Sequence, residues 1–570
     1  MPDAQTINDA LRIRRGSARG MTFLDADGET ERWTYGDLAD IACRTAGAWR
    51  DLGVGPGDRV GLLGSTTPDL VAAVFGCWAA GAVAVPLAVP MRLSSEQALV
   101  DEVRSRGSKA GIEVMAADER FAVFGEVMEI VERTVTLADL RAAGRETEIT
   151  DPRPDEPALI QFTSGSTASP KGVVLTHGTL VGNGLAAQEH VSITTDDVIV
   201  SWLPLYHDFG LIGLTLWPLV FDIPTHLMSP ETFISSPKRW METLSRYGGT
   251  ITAAPNFAYG LAARALRRSS TTLDLSRLRV AANGAEPVDP ETMADFAEAA
   301  APHGLDPAAQ LAVYGLAEGT LGVASPLPGE QPPPRWVDAA KLATDGVAVD
   351  TQPEAPGSRP LVSVGYPIPG VEIEVRSTDG DVVADGHVGE VCLRTDWAMT
   401  GYWDDPEATE HVMRDGWIHT GDLGLHGPDG LVITGRAKDM IIVAGRNLYP
   451  EDAERAAEQV DGVRRGNAVA FGILDRAREG LVVIAETKLV GEDASRLARQ
   501  VATEVRKAMR IAIDAVVLLA PGALPKTPSG KLQRTLTKRL YEAGQLVSGA
   551  VATAGRALGR SDGDAHPEPA

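Results

Sequence analysis

Thr163-Ser164-Gly165-Ser166-Thr167-Ala168-Ser169-Pro170-Lys171-Gly172 holds seven hydroxyl or glycine residues in ten positions. Residues this small let backbone N–H groups approach a polyanion closely, and Lys171 adds a point charge suited to phosphate. A plain Ser/Gly hairpin turn has the same composition. What sets this stretch apart is Pro170-Lys171-Gly172, held between the apolar runs Ala158-Leu159-Ile160 and Val173-Val174-Leu175. It is not a Walker loop, which needs Gly-Lys-Ser/Thr at the start of a helix. Here Lys171 follows Pro170, and a strand-like run comes next.

Further stretches carry groups that suit the same ligand. Asn283-Gly284-Ala285-Glu286-Pro287 and Tyr314-Gly315-Leu316-Ala317-Glu318 each follow a strand-like run, and loops at strand ends are where open α/β sheets bind ligands. Asp422, in Gly416-Trp417-Ile418-His419-Thr420-Gly421-Asp422-Leu423-Gly424, can accept from both hydroxyls of a ribose, and Arg436 suits ribose or phosphate. A Gly-flanked aspartate is equally a turn residue. Pro525-Lys526-Thr527-Pro528-Ser529-Gly530-Lys531 presents a lysine on a turn, which fits a mobile loop or an ordinary surface site. His207 sits among Trp202, Tyr206 and Phe209, surroundings in which a histidine is more often packed than catalytic.

The elements that must position these groups alternate between helix and strand. Leu38, Ile41, Ala42, Ala48, Trp49 and Leu52 follow helical spacing, with Thr45 interrupting the stripe and Gly53 as a C-cap. Arg59–Leu63 reads as a buried strand. Leu70 to Met91 is uncharged and long enough to span a bilayer, but Gly81, Pro86 and Pro90 break it. It reads as a helix to Ala80, a turn at Gly81 and a strand over Ala82–Val85. Such alternation predicts a mainly parallel sheet covered on both faces. Pro332-Pro333-Pro334, Pro353 and Pro356 mark 331–360 as an insertion or lid. Beyond Gly435, strands near Ala468–Phe471, Leu481–Glu486 and Ala515–Leu519 with a helix over Ala494–Met509 predict a compact α+β domain.

A chain of 570 residues exceeds one core. The expected fold is α/β, with a large N-terminal domain of layered α/β subdomains (residues 1–434), a hinge (435–440), a small mobile C-terminal α+β domain (441–546) and a frayed tail (547–570). No carrier domain is read in that tail. Cys43, Cys77 and Cys392 lack metal spacing and fit a reducing compartment. With no apolar signal core at the N-terminus, the cytoplasm is the expected location. The net charge of -24 argues against nucleic acid as a partner. Arg496 to Arg539 nonetheless carries ten basic residues against two acidic ones, either a solvated helical face with a phosphate-facing loop or a docking face for an acidic partner.

Taken together and in order, the Thr163–Gly172 loop, Tyr314–Glu318, Asp422, Arg436 and Lys531 resemble the motifs of the adenylate-forming superfamily: acyl-CoA synthetases, peptide-synthetase adenylation domains, luciferases and fatty acyl-AMP ligases. The resemblance spans about Trp33 to Leu546. It implies that Thr163, Ser164, Gly165, Ser166, Thr167 and Lys171 bind the phosphates of ATP, that Gly284 and Ala285 line the base with Glu286 beside them in the ATP site, and that Tyr314 stacks on adenine within the ATP-binding stretch Tyr314-Gly315-Leu316-Ala317. It further implies that Glu318 holds Mg²⁺, that Asp422 and Arg436 hold ribose or phosphate, that Lys438 is the hinge and that Lys531 is the catalytic lysine. The phrasing around His207, Asn256-Phe257-Ala258-Tyr259 and Gly445–Asp452, with Ala317 before Glu318, is most similar to fatty acyl-AMP ligases. That branch implies an acyl pocket of His207, Asn256, Phe257 and Tyr259, with His207 toward the carboxylate.

The implied activity joins a fatty or related carboxylic acid to AMP with release of pyrophosphate, then transfers the acyl group to the phosphopantetheine thiol of a separate acyl-carrier protein. No general base is required, because the carboxylate is already ionised. The 331–360 segment lies where an insertion can restrain the domain swing and disfavour CoA. Left open beside this are a fatty acyl-CoA ligase, an enzyme for a small or aromatic acid and a non-catalytic nucleotide or lipid binder. Gly260, Gly319 and Gly322 leave the acid unspecified. No stable membrane insertion is expected.

Overall fold

The structure is a computed structural model and describes residues 4–89, 96–122, 131–163, 170–353, 355, 357–443, 446–475, 478–527 and 530–555. It is a mixed α/β molecule with a large N-terminal domain and a smaller C-terminal one. Two seven-stranded sheets and a five-stranded antiparallel sheet of Val371–Arg376, Gly389–Thr395, Met413–Arg414, Trp417–Gly427 and Gly430–Arg436 lie in the large domain. In one seven-stranded sheet, the strands Pro157–Phe162, Val83–Leu87, Arg59–Leu63, Val114–Ala117 and Arg133–Thr136 run parallel side by side, Gly172–Thr176 pairs antiparallel with Pro157–Phe162, and Gly401–Tyr402 pairs antiparallel with Gly172–Thr176 at the edge. Val83–Leu87 is buried throughout, which is why it reads as unbroken apolar sequence. In the other, Gln310–Ala312, Val280–Asn283, Ile251–Ala254, Ile199–Ser201, Thr225–Met228 and Gly20–Leu24 are parallel, with Glu29–Thr34 antiparallel at the edge.

Local signals set the helices between these strands. Thr34 and Asp37 close a capping box at the start of Tyr35–Asp51, satisfying backbone donors that a helix leaves unpaired. Gly53, at φ +79°, stands just past its end, where a left-handed residue is wanted. The helix Pro68–Ala79 begins with Thr67 as N-cap and proline in its first turn. A Cβ on Gly76 would lie 2.5 Å from the Thr45 side chain. Thr45 thus breaks the apolar stripe because the neighbouring helix passes directly over it. Gly81 turns the chain at φ +83° into the strand Val83–Leu87. Among the described residues no helix is long and apolar enough to cross a membrane.

The expected insertion or lid at 331–360 contains regular elements. Arg335–Asp338 and Ser358–Leu361 pair as antiparallel strands, with the helix Ala339–Asp345 between them. Val337, Leu342, Ala348 and Leu361 form a small core with Leu425, Val432 and Tyr449. Arg359 crosses from this hairpin to the smaller domain. Its Nε is 3.2 Å from Asp452 Oδ1, its guanidinium donates to Thr434 O at 2.7 Å, and it lies 4.2 Å from the Tyr449 ring centre.

The smaller domain has its own core, in which Ala453, Val483, Leu497, Val501 and Val516 meet. Val463–Asp475, Arg478–Thr487, Ala515–Leu519 and Ala552–Gly555 make its sheet. The last strand corrects the expectation of a frayed tail from residue 547. Ala552–Gly555 pairs antiparallel with Ala515–Leu519, which otherwise would leave that buried strand with an open edge. Residues 556–570 lie outside the described residues.

Candidate active site

A cavity of about 550 Å³ opens between the two domains, and residues from both line it. One arm is apolar, walled by Leu214, Trp217, Phe221, Ile251, Val280 and Leu311. The other gathers Thr163, Lys171, Tyr314, Glu318, Asp422 and Arg436. Lys531 enters from the smaller domain.

The polar arm is built by strand ends and strained turns. Asp422 and Arg436 are cross-strand partners, which places Arg436 Nε 2.8 Å from Asp422 Oδ1. Tyr314 donates its hydroxyl to Asp422 Oδ2 at 2.7 Å. Burial, then the Asp422 charge, drives that phenol far above its ordinary range. On the neighbouring strand, Glu390 accepts from Gly421 N at 3.1 Å and lies 2.9 Å from His419 Nδ1. Ligand atoms of Glu390, Cys392 and His419 lie within 4.8 Å of one another, but their contacts brace Gly421–Asp422 within the strand Trp417–Gly427. Burial pushes the Cys392 thiol up to about 11, far from a reactive thiolate.

After Tyr314–Gly315, the chain makes a short 3₁₀ turn over Ala317–Gly319. Thr320 then adopts φ +73°, ψ -62°, a rare and strained conformation for a β-branched residue. Its hydroxyl donates to Trp397 O at 2.6 Å, which holds the bend. Glu318 is left on the cavity wall, where Tyr402 donates to its Oε1 at 2.7 Å. Lys171 Nζ sits 4.7 Å from the Tyr402 ring centre, so tyrosine links the cation to the carboxylate. Ala285 also takes a left-handed conformation, φ +66°, and reaches the cavity. A Cβ on Gly284 would meet Val313 O at 2.8 Å, so only glycine fits there.

Lys531 follows a tight turn: Thr527 N donates to Lys531 O at 2.7 Å, and Gly530 N to Thr527 O at 2.9 Å. Gly530 takes φ +90°. The turn aims Nζ into the cavity, 3.0 Å from His207 Nε2. Burial pulls the ammonium below the usual lysine range, while Asp208 and Glu286 oppose it. Arg534 anchors the loop behind, ion-paired with Asp439 at 3.0 Å, Glu451 at 3.3 Å and Glu454 at 2.9 Å. It belongs to the interior rather than to a basic docking face, so the Arg496–Arg539 stretch presents less charge outward than its count suggests.

Other expected site residues separate into two sets. Gly315, Leu316, Ala317 and Lys438 line the cavity, with Lys438 on the 3₁₀ turn Ala437–Asp439. Ser164, Gly165, Ser166 and Thr167 lie outside the described residues. Thr163 and Lys171 flank that loop, Thr163 N donating to Lys171 O at 3.2 Å. Asn256, Phe257 and Tyr259, expected in the acyl pocket, do not line the cavity. Asn256 Oδ1 accepts from Asn283 Nδ2 and Asp289 N, each at 3.1 Å. Tyr259 donates to Ala282 O at 2.9 Å and packs on Trp240 and Phe296. The helix Asn256–Arg267 thus turns these groups toward the Asn283–Asp289 turn and the core. Glu286 is half-buried and does not line the cavity; it accepts from Phe257 N at 2.7 Å, and desolvation raises its pKa.

Two packed open sheets, a cavity at their strand ends and a lysine delivered by a small second domain define an adenylate-forming ligase. The chain belongs to the AMP-binding enzyme family, which it matches over residues 14–403. It is 34% identical over 557 residues to a putative acyl-CoA synthetase of Caulobacter vibrioides, covering 95% of this chain and 96% of that one. It is 31% identical over 590 residues to the medium-chain-fatty-acid–[acyl-carrier-protein] ligase JamA of Moorena producens, covering 96% of each. A solved structure from a study of fatty acyl-adenylate ligases of E. coli and L. pneumophila superposes with a TM-score of 0.89 at 30% identity, over 95% of this chain and 98% of that one.

Proposed function

We propose that the protein activates a fatty or related carboxylic acid with ATP, forming acyl-adenylate and pyrophosphate, and transfers the acyl group to the phosphopantetheine thiol of an acyl-carrier protein. The observation that carries this reading is the position of Lys531 Nζ, 3.0 Å from His207 Nε2 in a cavity with one apolar and one polar arm. The apolar arm suits an acyl chain. Tyr314, Asp422 and Arg436 suit the nucleoside, and Lys171 with the loop after Thr163 suits the phosphates.

In the first step a carboxylate oxygen bonds to the α-phosphorus of ATP. The bond to the bridging oxygen breaks, and its electron pair leaves with pyrophosphate. Both reactants are anions, so a cation between them lowers the barrier: one charge about 4 Å away, at an effective dielectric near 20, contributes roughly 4 kcal/mol. Lys531 supplies that charge. In the second step the thiol sulfur attacks the acyl carbon, AMP leaves and the thiol proton passes to solvent.

Glu318 fits a magnesium ion: it lines the same cavity as Lys171, and Tyr402 fixes one carboxylate oxygen at 2.7 Å, the outer-shell support that metal carboxylates have. Such an ion, when bound, neutralises phosphate charge. Smaller-domain rotation near Lys438 would withdraw Lys531 before the thiol enters. The Arg359 contacts with Asp452 and Tyr449 favour a restrained swing and a carrier protein over CoA. The similarity to a protein named as a putative acyl-CoA synthetase supports the second reading, a fatty acyl-CoA ligase. Purified enzyme given acid, ATP and either CoA or holo carrier protein separates them. Preferential loading of the carrier supports the proposal, and strong CoA turnover overturns it.

A further inference from the structure

Asp208 adjoins His207 but has no role in any step above. Its Oδ1 accepts from Phe209 N at 2.6 Å and lies 2.6 Å from His207 Nδ1. Both side chains are largely buried, 17% and 19% exposed. An ammonium can only donate, so His207 Nε2, 3.0 Å from Lys531 Nζ, must be the accepting nitrogen. The ring proton then sits on Nδ1 and donates to Asp208. Phe209 N also lies 3.3 Å from Nδ1, but its shorter bond, 2.6 Å, goes to Asp208 Oδ1, so this tautomer satisfies the Lys531 and Asp208 contacts together.

The chain Asp208–His207–Lys531 joins the two domains through side chains that line one cavity. Asp208 and Glu286 are the carboxylates that oppose the pull of burial on Lys531, and Arg436 acts against them. For Asp208 itself, burial favours the neutral acid, but His207, Lys531 and the Phe209 N–H outweigh it. The wide helical stretch Phe209–Leu216 begins just after Asp208, so Asp208 also caps it. A cap alone requires neither an imidazole nor an ammonium in line.

We infer that Asp208 is a positioning residue for adenylate formation, fixing the tautomer and orientation of His207 so that Nε2 holds the Lys531 ammonium where the carboxylate and the α-phosphate meet. This rests on the adenylation reading above. A reacting charge displaced by about 1 Å costs about 100-fold in rate, which sets the expected scale.

The test is a cycle of wild type, D208N, H207A and the double variant, with D208E as the charge-retaining control. Acid-dependent ATP–pyrophosphate exchange is measured in each. D208N keeps the size and the acceptor for Phe209 N but loses the charge, and its amide can donate to Nδ1 and favour the wrong tautomer. It should lower kcat about 10- to 100-fold while KM for ATP changes less than threefold. D208E should recover most of that loss. The double variant should be no slower than H207A alone, because the two act in one chain. Transfer from supplied acyl-adenylate to a pantetheine thiol should stay within twofold in D208N.

Full exchange in D208N, or losses that multiply in the double variant, would overturn the inference and leave Asp208 a cap. Loss of transfer in step with exchange would also overturn it. If the wild type shows no exchange at all, the adenylation reading fails and this inference with it. Normal wild-type exchange beside an unaffected D208N sinks only the latter.

Discussion

Replacing Arg359 with alanine should loosen the hold of the inserted hairpin on the smaller domain. The guanidinium is 7% exposed and Asp452 15% exposed, so neither charge is well solvated while the domains stay together. Removing Arg359 strands the Asp452 carboxylate and also deletes the bond to Thr434 O and the contact with Tyr449. Breaking a buried pair in this way costs about 3–5 kcal/mol. The cost falls on the closed arrangement, because a rotated domain returns Asp452 to water. At about 1.4 kcal/mol per decade, even the lower figure shifts the closed-to-open ratio roughly 100-fold.

Fluorophores placed on exposed sites of the two domains would report the closed fraction, and pyrophosphate exchange would report its consequence. The closed fraction and the exchange rate should both fall in R359A, and thioester formation with CoA should rise relative to wild type. An unchanged closed fraction together with unchanged exchange would refute the reasoning, because the pair would then carry no part of the domain equilibrium.

K531M should cut exchange by about three decades, from the roughly 4 kcal/mol of charge stabilisation worked out above, while transfer from supplied acyl-adenylate persists. With pH the sign is fixed. Lys531 works as the ammonium, and burial sets its pKa below the usual lysine range, so exchange is present at lower pH and is lost as pH rises through that lowered value. The alkaline limb of the exchange profile should therefore fall below pH 10.5, the ordinary lysine value; K531R should remove that limb from the measurable range. Gly322 lines the cavity, and a Cβ there meets Ile368 at 3.5 Å and Trp217 at 3.8 Å. G322L should fold but narrow the apolar arm, lowering kcat/KM for long acids at least 10-fold while shorter acids are retained. Steady-state kinetics across chain lengths checks this.

Much of the architecture was legible because strands and helices carry their own local pattern: the apolar run Ala82–Val85 as a strand, the stripe from Leu38 to Leu52 with Gly53 beyond it as a helix. The residues of the polar arm could be named because short motifs such as Tyr314–Glu318 resemble a known family, but the pairing of Asp422 with Arg436 across two strands appears only in the structure. Groups joined only by tertiary contact were not. Glu390 and Tyr402 stand far in sequence from Gly421 and Glu318, which they hold, and Asp208, though it adjoins His207, comes into line with Lys531 only in the fold. Asn256 and Tyr259 misled for the opposite reason. Their resemblance to the acyl-site segment of fatty acyl-AMP ligases suggested a pocket wall, but the helix turns Asn256 toward Asn283 and Asp289 and Tyr259 into the core. The 331–360 segment looked like a loop because its prolines hide the alternation of its two strands, whose partners are each other.

The most direct measurement is ATP–pyrophosphate exchange by the purified protein with magnesium and a series of carboxylic acids of graded chain length. Exchange should be negligible without acid, should rise with fatty acids that fill the apolar arm and should collapse in K531M. No acid-dependent exchange with any acid, or equal exchange in K531M, would contradict it.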